Sequence, residues 1–136
     1  MTPEQAREFV ANNHRAVMIT RRSAGGLQTS PVTVGIDRDG KVVVSSRETA
    51  YKVRNLRRHP AATLCVFTDS FFGPWIQLDG TVQIVPLPQA RDGLIDYYRR
   101  ISGEHPDWYD YRRAMVDQRR VLIRLAIDHV GPTHTG

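Results

Sequence analysis

Cysteine occurs once in the 136 residues, at Cys65, so an internal disulfide framework, a CxxC redox pair and a four-cysteine zinc centre are all excluded. Between Leu64 and Val66, Cys65 is expected to be a buried strand thiol. No apolar run approaches the roughly 20 residues that a membrane-spanning helix needs. The start, Met1-Thr2-Pro3-Glu4-Gln5, has no basic segment leading into an apolar one. A cytoplasmic protein with no membrane association is therefore expected. Also lacking are GxGxxG, the GxxxxGK[ST] phosphate loop, HExxH and GxSxG, which removes the sequence support for the common nucleotide folds, zinc proteases and serine hydrolases. His14, His59, His105, His129 and His134 have no paired metal-ligand spacing, so no metal is expected. No nucleic-acid-binding motif is visible, and nucleic acid is not an expected partner.

What is present is an ordinary globular composition, 40% hydrophobic and 24% charged, over a length that suits one compact domain spanning residues 1–136. The net charge of +5 favours anionic partners without naming one. One basic group gathers at Arg47, Lys52, Arg54, Arg57 and Arg58, and a second at Arg112, Arg113, Arg119, Arg120 and Arg124. The second runs round a helical stretch into a strand, and reads equally well as a solubilising surface.

Apolar Ala6, Phe9 and Val10 after Thr2-Pro3 predict a helix over Pro3 to Ala11. The period then changes to two. Strands are predicted at Ala16 to Thr20, Thr29 to Ile36 and Lys41 to Ser46, joined by turns at Ser23 to Gly26 and Asp37 to Gly40. A helix follows from Thr49 and stops at His59-Pro60. Ala62 to Thr68 and Trp75 to Val85 read as strands, the second with a bulge or bend at Asp79-Gly80. Two helical stretches, through Leu94 to Ile101 and Trp108 to Gln118, precede a last strand from Val121 to Val130, and Gly131 to His134 is expected to fray. Six or seven strands with few helices predict an antiparallel β-barrel with helical insertions.

The most informative stretch is Val42 to His59. A strand ends in the hydroxyls of Ser45 and Ser46, Thr49 is placed to cap the next helix, and Lys52 falls near its third position. A cation there opposes the helix macrodipole by about 0.3–1 kcal/mol, and a docked anion reverses that sign. Free N–H groups, hydroxyls and a lysine at one helix start make a phosphate cradle. The plainer alternative is a surface ion pair between Glu48 and Lys52.

The run from Thr49 through Lys52-Val53-Arg54-Asn55-Leu56-Arg57-Arg58-His59-Pro60 resembles the lysine-to-NLRRxP signature of the pyridoxamine-phosphate-oxidase-like proteins, specifically the F420-dependent oxidoreductases. Tyr98-Arg99-Arg100-Ile101-Ser102-Gly103-Glu104-His105-Pro106-Asp107-Trp108, continuing to Leu122, is similar to one branch of them, the small actinobacterial-type members. The resemblance implies a mainly β, α+β fold: a split β-barrel of six to seven largely antiparallel strands with peripheral helices. It implies a homodimer with cofactor sites at the subunit interface, and a reductase that moves a hydride between a deazaflavin, coenzyme F420, and a small organic acceptor. FMN is the alternative cofactor, and a carrier without turnover the alternative role. By the same resemblance Ser45 and Lys52 match the phosphate-binding serine and lysine and Asn55 the following helix position, and Ser46 and Thr49 join them as expected phosphate-end residues from the cradle at the helix start. Ser30, Pro31 and Val32 lie beside the ring system, and Trp75, with Gln77 two residues on, completes the pocket. Where relatives often carry an arginine two residues before the lysine, this chain has Ala50, leaving Arg47 or Arg54 to substitute. No catalytic side chain is assigned. The cofactor itself carries the reactive carbon, and Tyr51 and Tyr98 are the candidate proton donors.

Overall fold

The structure, a computed structural model, describes residues 1–134. Helix α1, Pro3–Asn12, starts in a capping box: Thr2 Oγ1 accepts from Gln5 N at 3.1 Å while Gln5 Oε1 accepts from Thr2 N at 2.9 Å. Its Ala6 and Val10 are buried. Strands β1 (Arg15–Arg21) and β2 (Leu27–Thr33) form a hairpin, β3 is the two-residue Gly35–Ile36, and β4 is Val42–Arg47. Helix α2 (Tyr51–Arg58), strands β5 (Ala61–Phe67) and β6 (Trp75–Pro86), helices α3 (Arg91–Ser102) and α4 (Trp108–Asp117), and strand β7 (Arg120–Thr133) complete the chain.

The seven strands form one antiparallel sheet in the order β2-β1-β5-β6-β7-β4-β3. Its two edge strands, β2 and β3, are separated in sequence by Val34 alone. A sheet whose opposite edges are nearly consecutive in the chain must curl until they meet, which makes it a barrel with a seam between β2 and β4. The single strand expected over Thr29 to Ile36 is thus two. The chain leaves β1 at Thr33, Val34 N bonds to His14 O at 2.9 Å, and Gly35 takes Val43 as its partner. Inward Val32 and Val34 keep the alternation across the break, so the pattern gives no sign of it.

Met18, Leu64, Val66, Leu78, Ile123 and Leu125 fill the barrel, with α1 contributing Ala6 and Val10 and α2 contributing Val53 and Leu56. A second cluster of Val43, Ala90, Leu94 and Leu122 lies under α3 on the outside. Because β4 and β7 are covered on both faces there, Val42-Val43-Val44 and Val121-Leu122-Ile123 are buried without alternation. Strand β6 bends as expected, with register shifts between Ile76 and Leu78 and between Asp79 and Gly80. A Cβ at Gly80 would lie 2.3 Å from Ala126 O, so only glycine allows β7 this close.

Two expectations need correction. Strand β7 does not fray at Gly131 but continues to Thr133, which pairs with Ile76, and His134 N donates to Trp75 O at 2.9 Å. The long β6 supplies partners there. Cys65 is half-buried, since it points to the outer face of β5, and burial pushes its thiol pKa up. No helix among the described residues is long and apolar enough to cross a membrane.

Candidate functional site

A cavity of about 690 Å³ opens at the seam between β2 and β4, roofed by α3 and α4 and flanked by the start of α2. Pro31, Val32 and Thr33 come from β2, Ser45, Ser46 and Arg47 from β4, Lys52 from α2, Tyr97 and Tyr98 from α3, Tyr111 and Met115 from α4, and Arg120 from β7. Three of these residues are cations and none is a carboxylate.

Alternation on β4 decides which serine faces the cavity. Val42, Val44 and Ser46 point into the barrel, so Val43, Ser45 and Arg47 point outward, towards α3 and the cavity. Ser46 is only 3% exposed, and its hydroxyl donates to Arg47 O at 3.3 Å. Ser45 keeps a hydroxyl with no hydrogen-bond partner among the described residues.

The start of α2 departs from expectation. Thr49 sits exposed in a turn closed by Ala50 N to Arg47 O at 3.1 Å, and the helix begins at Tyr51. Ala50 is therefore the N-cap, with extended backbone and no side chain able to accept. Lys52 becomes the second helical residue rather than the third. With no cap and no acidic residue in the first turn, the Tyr51 and Lys52 N–H groups stay available to an anion, while Val53 and Arg54 donate to Ala50 O. Lys52 is half-buried and forms neither an ion pair with Glu48 nor any other among the described residues. Burial, and secondarily the Arg120 guanidinium, hold its pKa below the usual 10.5. An unpaired, partly desolvated ammonium beside a second cation is a strong call for an anion.

Tyr97 bridges the seam. Its hydroxyl donates to Thr33 O of β2 at 2.7 Å and accepts a backbone hydrogen bond from Ser45 of β4. Burial raises its pKa, opposed by the Ser45 bond and Arg120. Tyr111 donates to Leu94 O at 2.9 Å, and its pKa is pushed up to about 12, by burial first and by its neighbours Tyr97 and Tyr98 after that. Both phenols are neutral at physiological pH and serve as fixed donors and apolar walls.

Ser45, Ser46 and Lys52 are thus brought together with Pro31 and Val32, while Ser30, Thr49, Asn55 and Trp75 lie outside the cavity lining. The Ser30 hydroxyl is buried with no partner. Asn55 is 7% exposed and serves the fold: it donates to Thr20 Oγ1 at 3.1 Å and accepts from Arg58 at 3.0 Å, tying α2 to β1. Trp75 pairs across strands with Phe67, on the outer face of β6. Tyr51 is 73% exposed, with the Arg54 guanidinium 5.8 Å from its ring centre, outside the cavity.

The second basic group does not act as one surface. Arg124 is paired with Asp37 at 3.0 Å and Asp39 at 3.1 Å, Arg112 and Arg113 are exposed on α4, and only Arg120 reaches the cavity. Arg120, Tyr97, Tyr111 and Met115 were not singled out by sequence as site residues. Their signal was faint: Tyr111 and Met115 stand four apart on α4, and Tyr97 adjoins Tyr98, which periodicity places on the packed face of α3.

Comparison with known proteins agrees with this fold. The sequence profile of the family described as pyridoxamine 5'-phosphate oxidase matches residues 2–134. A conserved hypothetical protein from Mycobacterium tuberculosis superimposes with a TM-score of 0.77 at 19% identity, over 96% of this chain and 82% of that one. A protein described as an F420 reductase gives 0.70 at 19% identity, over 92% and 94%. The heme storage protein HutZ from Vibrio cholerae gives 0.70 at 15% identity, over 96% and 93%. At these identities the likeness is one of fold.

Proposed function

This chain belongs to the pyridoxamine 5'-phosphate oxidase family, and from that premise we propose that it is an F420-dependent oxidoreductase whose seam cavity holds the deazaflavin by its phosphate. The observation that carries the reading is the convergence of Arg47, Lys52 and Arg120, without a carboxylate, on a cavity that also receives an uncapped helix start. The cavity volume of about 690 Å³ falls within the range usual for small-molecule and cofactor sites. Phosphate binding falls to Lys52, the Ser45 hydroxyl and the first N–H groups of α2. Pro31, Val32, Tyr98 and Met115 offer the flatter, less polar wall that suits a ring system.

When bound, a deazaflavin supplies a ring carbon that carries hydride. What remains for this chain is to orient the ring, exclude water and hold an acceptor against it. Tyr97 and Tyr111 keep their protons on carbonyl acceptors, which fixes α3 and α4 over the cavity. Tyr98 lines the same cavity and is the candidate donor towards a reduced acceptor. The acceptor class that fits is a small organic molecule with an activated double bond.

A homodimer belongs to the same reading. The outer face of β1, β5 and β6 carries Val17, Ile19, Cys65, Phe67 and Trp75, with Thr63, Gln77 and Asp79 beside them. The adjoining turn exposes Phe71 at 75% and Phe72 at 88%. An apolar face of this kind suits a second copy of the chain, and Trp75 then meets the cofactor held by that copy.

FMN is the second reading, because its ribityl phosphate satisfies the same cradle. Parallel titration of the purified protein with F420 and FMN, followed by turnover of reduced F420 against a panel of activated alkenes, separates the cases. Tighter F420 binding with turnover is expected. Protein that purifies yellow with FMN supports the second reading, and F420 binding without turnover supports a carrier. A protein that binds neither cofactor, or takes up heme instead, overturns the proposal.

A further inference from the structure

Arg47 and Arg120 are direct cross-strand partners in the β4–β7 register. Side chains so placed share one face a few ångströms apart, and like charges there are destabilising. Neither arginine has an ion pair among the described residues. Both line the cavity that Lys52 enters from α2.

The local backbone maintains this arrangement at a cost. Arg119, immediately before Arg120, has φ 52°, the left-handed region that a residue with a Cβ rarely adopts. Its carbonyl accepts from Glu48 N at 2.9 Å, which ties the α4–β7 turn to the β4–α2 turn. Gln118 Oε1 then accepts from Arg120 Nε at 2.9 Å, leaving the guanidinium's terminal N–H groups to the cavity. A strained residue, an inter-turn hydrogen bond and a positioning amide together hold a cation opposite another cation. An oxyanion between them converts the repulsion into two attractions, and planar guanidinium groups match a phosphate's oxygens well.

We propose that Arg47 and Arg120 form a second oxyanion subsite, which grips the cofactor phosphate from the strand side while Lys52 and α2 hold it from the helix side. This rests on the reading of the cavity as the site of a phosphate-bearing cofactor. Arg120 is then a binding residue for the phosphate, with Gln118 as its positioning residue.

The test uses the full chain with Arg47→Gln, Arg120→Gln and Arg120→Lys, titrated with F420, FMN, riboflavin and inorganic phosphate. Each glutamine variant is expected to weaken the preferred phosphate-bearing cofactor by roughly tenfold or more, the loss typical of a charge-assisted hydrogen bond. Affinity for riboflavin, which has no phosphate, is expected to stay put, and Arg120→Lys should fall between wild type and Arg120→Gln. The cofactor-free glutamine variants should melt higher than wild type, because a like-charge pair is gone. Unchanged cofactor affinity, an equal loss for riboflavin, or a lower melting temperature overturns the subsite. If Lys52→Met abolishes cofactor binding while Arg120→Gln leaves it intact, the subsite fails and the cofactor reading stands. If wild type binds neither cofactor, the reading fails, and the phosphate arm decides: thermal protection by phosphate that Arg120→Gln removes supports the subsite, and no protection of wild type overturns it too.

Discussion

Replacing Lys52 by methionine keeps most of the side chain's apolar bulk and removes its charge, and the consequences for stability and for binding should have opposite signs. In the free protein the ammonium is half-buried, unpaired and close to Arg120, so its pKa lies below the ordinary 10.5. A lysine whose folded pKa is lowered binds fewer protons folded than unfolded between the two values, so stability rises with pH across that interval. Below the folded pKa the penalty is present in full, and it fades as pH rises through that pKa. Lys52→Met should therefore raise the melting temperature of the cofactor-free protein near pH 7, with the gain shrinking as pH climbs towards 10.5. Binding should move the other way. A hydrogen bond to a charged group contributes about 1.5–3 kcal/mol, which corresponds to roughly 10- to 150-fold in dissociation constant. The assay is a four-cornered cycle: wild type and variant, each titrated with the cofactor and with its phosphate-free parent, riboflavin for FMN or the corresponding deazaflavin for F420. The loss should appear only when the phosphate is there. Because the Debye length is about 8 Å at physiological ionic strength, the coupling should weaken in high salt. An equal loss for both ligands, or a destabilised free variant, would refute the reasoning.

Three other substitutions probe the frame around the site. Gly80→Ala places a Cβ 2.3 Å from a backbone oxygen that cannot rotate away, so urea unfolding should show a loss at or above the upper end of the roughly 1–3 kcal/mol of overpacking; an unchanged midpoint contradicts the close β6–β7 approach. Tyr97→Phe removes the 2.7 Å bond to Thr33 O and should cost about 0.5–1.5 kcal/mol, with faster amide exchange at Ser45; exchange at the wild-type rate means that Tyr97 does not bridge the seam. Asn55→Ala should destabilise by about 1–3 kcal/mol by leaving buried partners unmatched while cofactor affinity holds, and an affinity loss larger than the stability loss explains would return Asn55 to the phosphate site.

Most of the fold was legible because its patterns are local. Alternation located the strands, Asp37 to Gly40 and Ser23 to Gly26 located turns, and the Asp79-Gly80 pair marked the bend in β6. What stayed hidden depends on contacts between distant segments. Val32 and Val34 alternate straight through the point where the chain changes partners, since both face the same core. The end of β7 looked frayed because glycine and proline are weak strand formers, yet it pairs along β6. In the site, Lys52 was visible through a local rule, the mismatch of a cation with a helix start. Thr49 misled because a hydroxyl near a helix start is usually a cap, whereas here the Arg47 to Ala50 turn delays the helix past it. Arg120 was visible only as one member of a basic run. Its separation from Arg112, Arg113 and Arg124 comes from the α4–β7 turn and from the Arg124 ion pairs, neither of which has a sequence signature.

Local choices in a folded chain usually agree with one another, and where they conflict the conflict tends to sit at a functional site. Four conflicts converge here: a lysine at an uncapped helix start, two arginines opposed across strands, a non-glycine residue at φ 52°, and a Ser30 hydroxyl buried without a partner one residue from Pro31 in the cavity wall. The first two share one remedy, since a single anion offsets both, and the third places one of the cations that the remedy requires. The barrel interior, by contrast, is packed with aliphatic side chains from both sheet ends and needs no such remedy. The energetic cost thus gathers at the seam, where backbone pairing between β2 and β4 is interrupted and the cavity gives a ligand room to enter. On that account, binding should stiffen the seam most, and protection against hydrogen exchange on loading should concentrate at the first turn of α2, Ser45 and the Arg119–Arg120 turn. Protection spread evenly over the barrel instead would mean that the ligand stabilises the fold as a whole and that the strain at the seam has another cause.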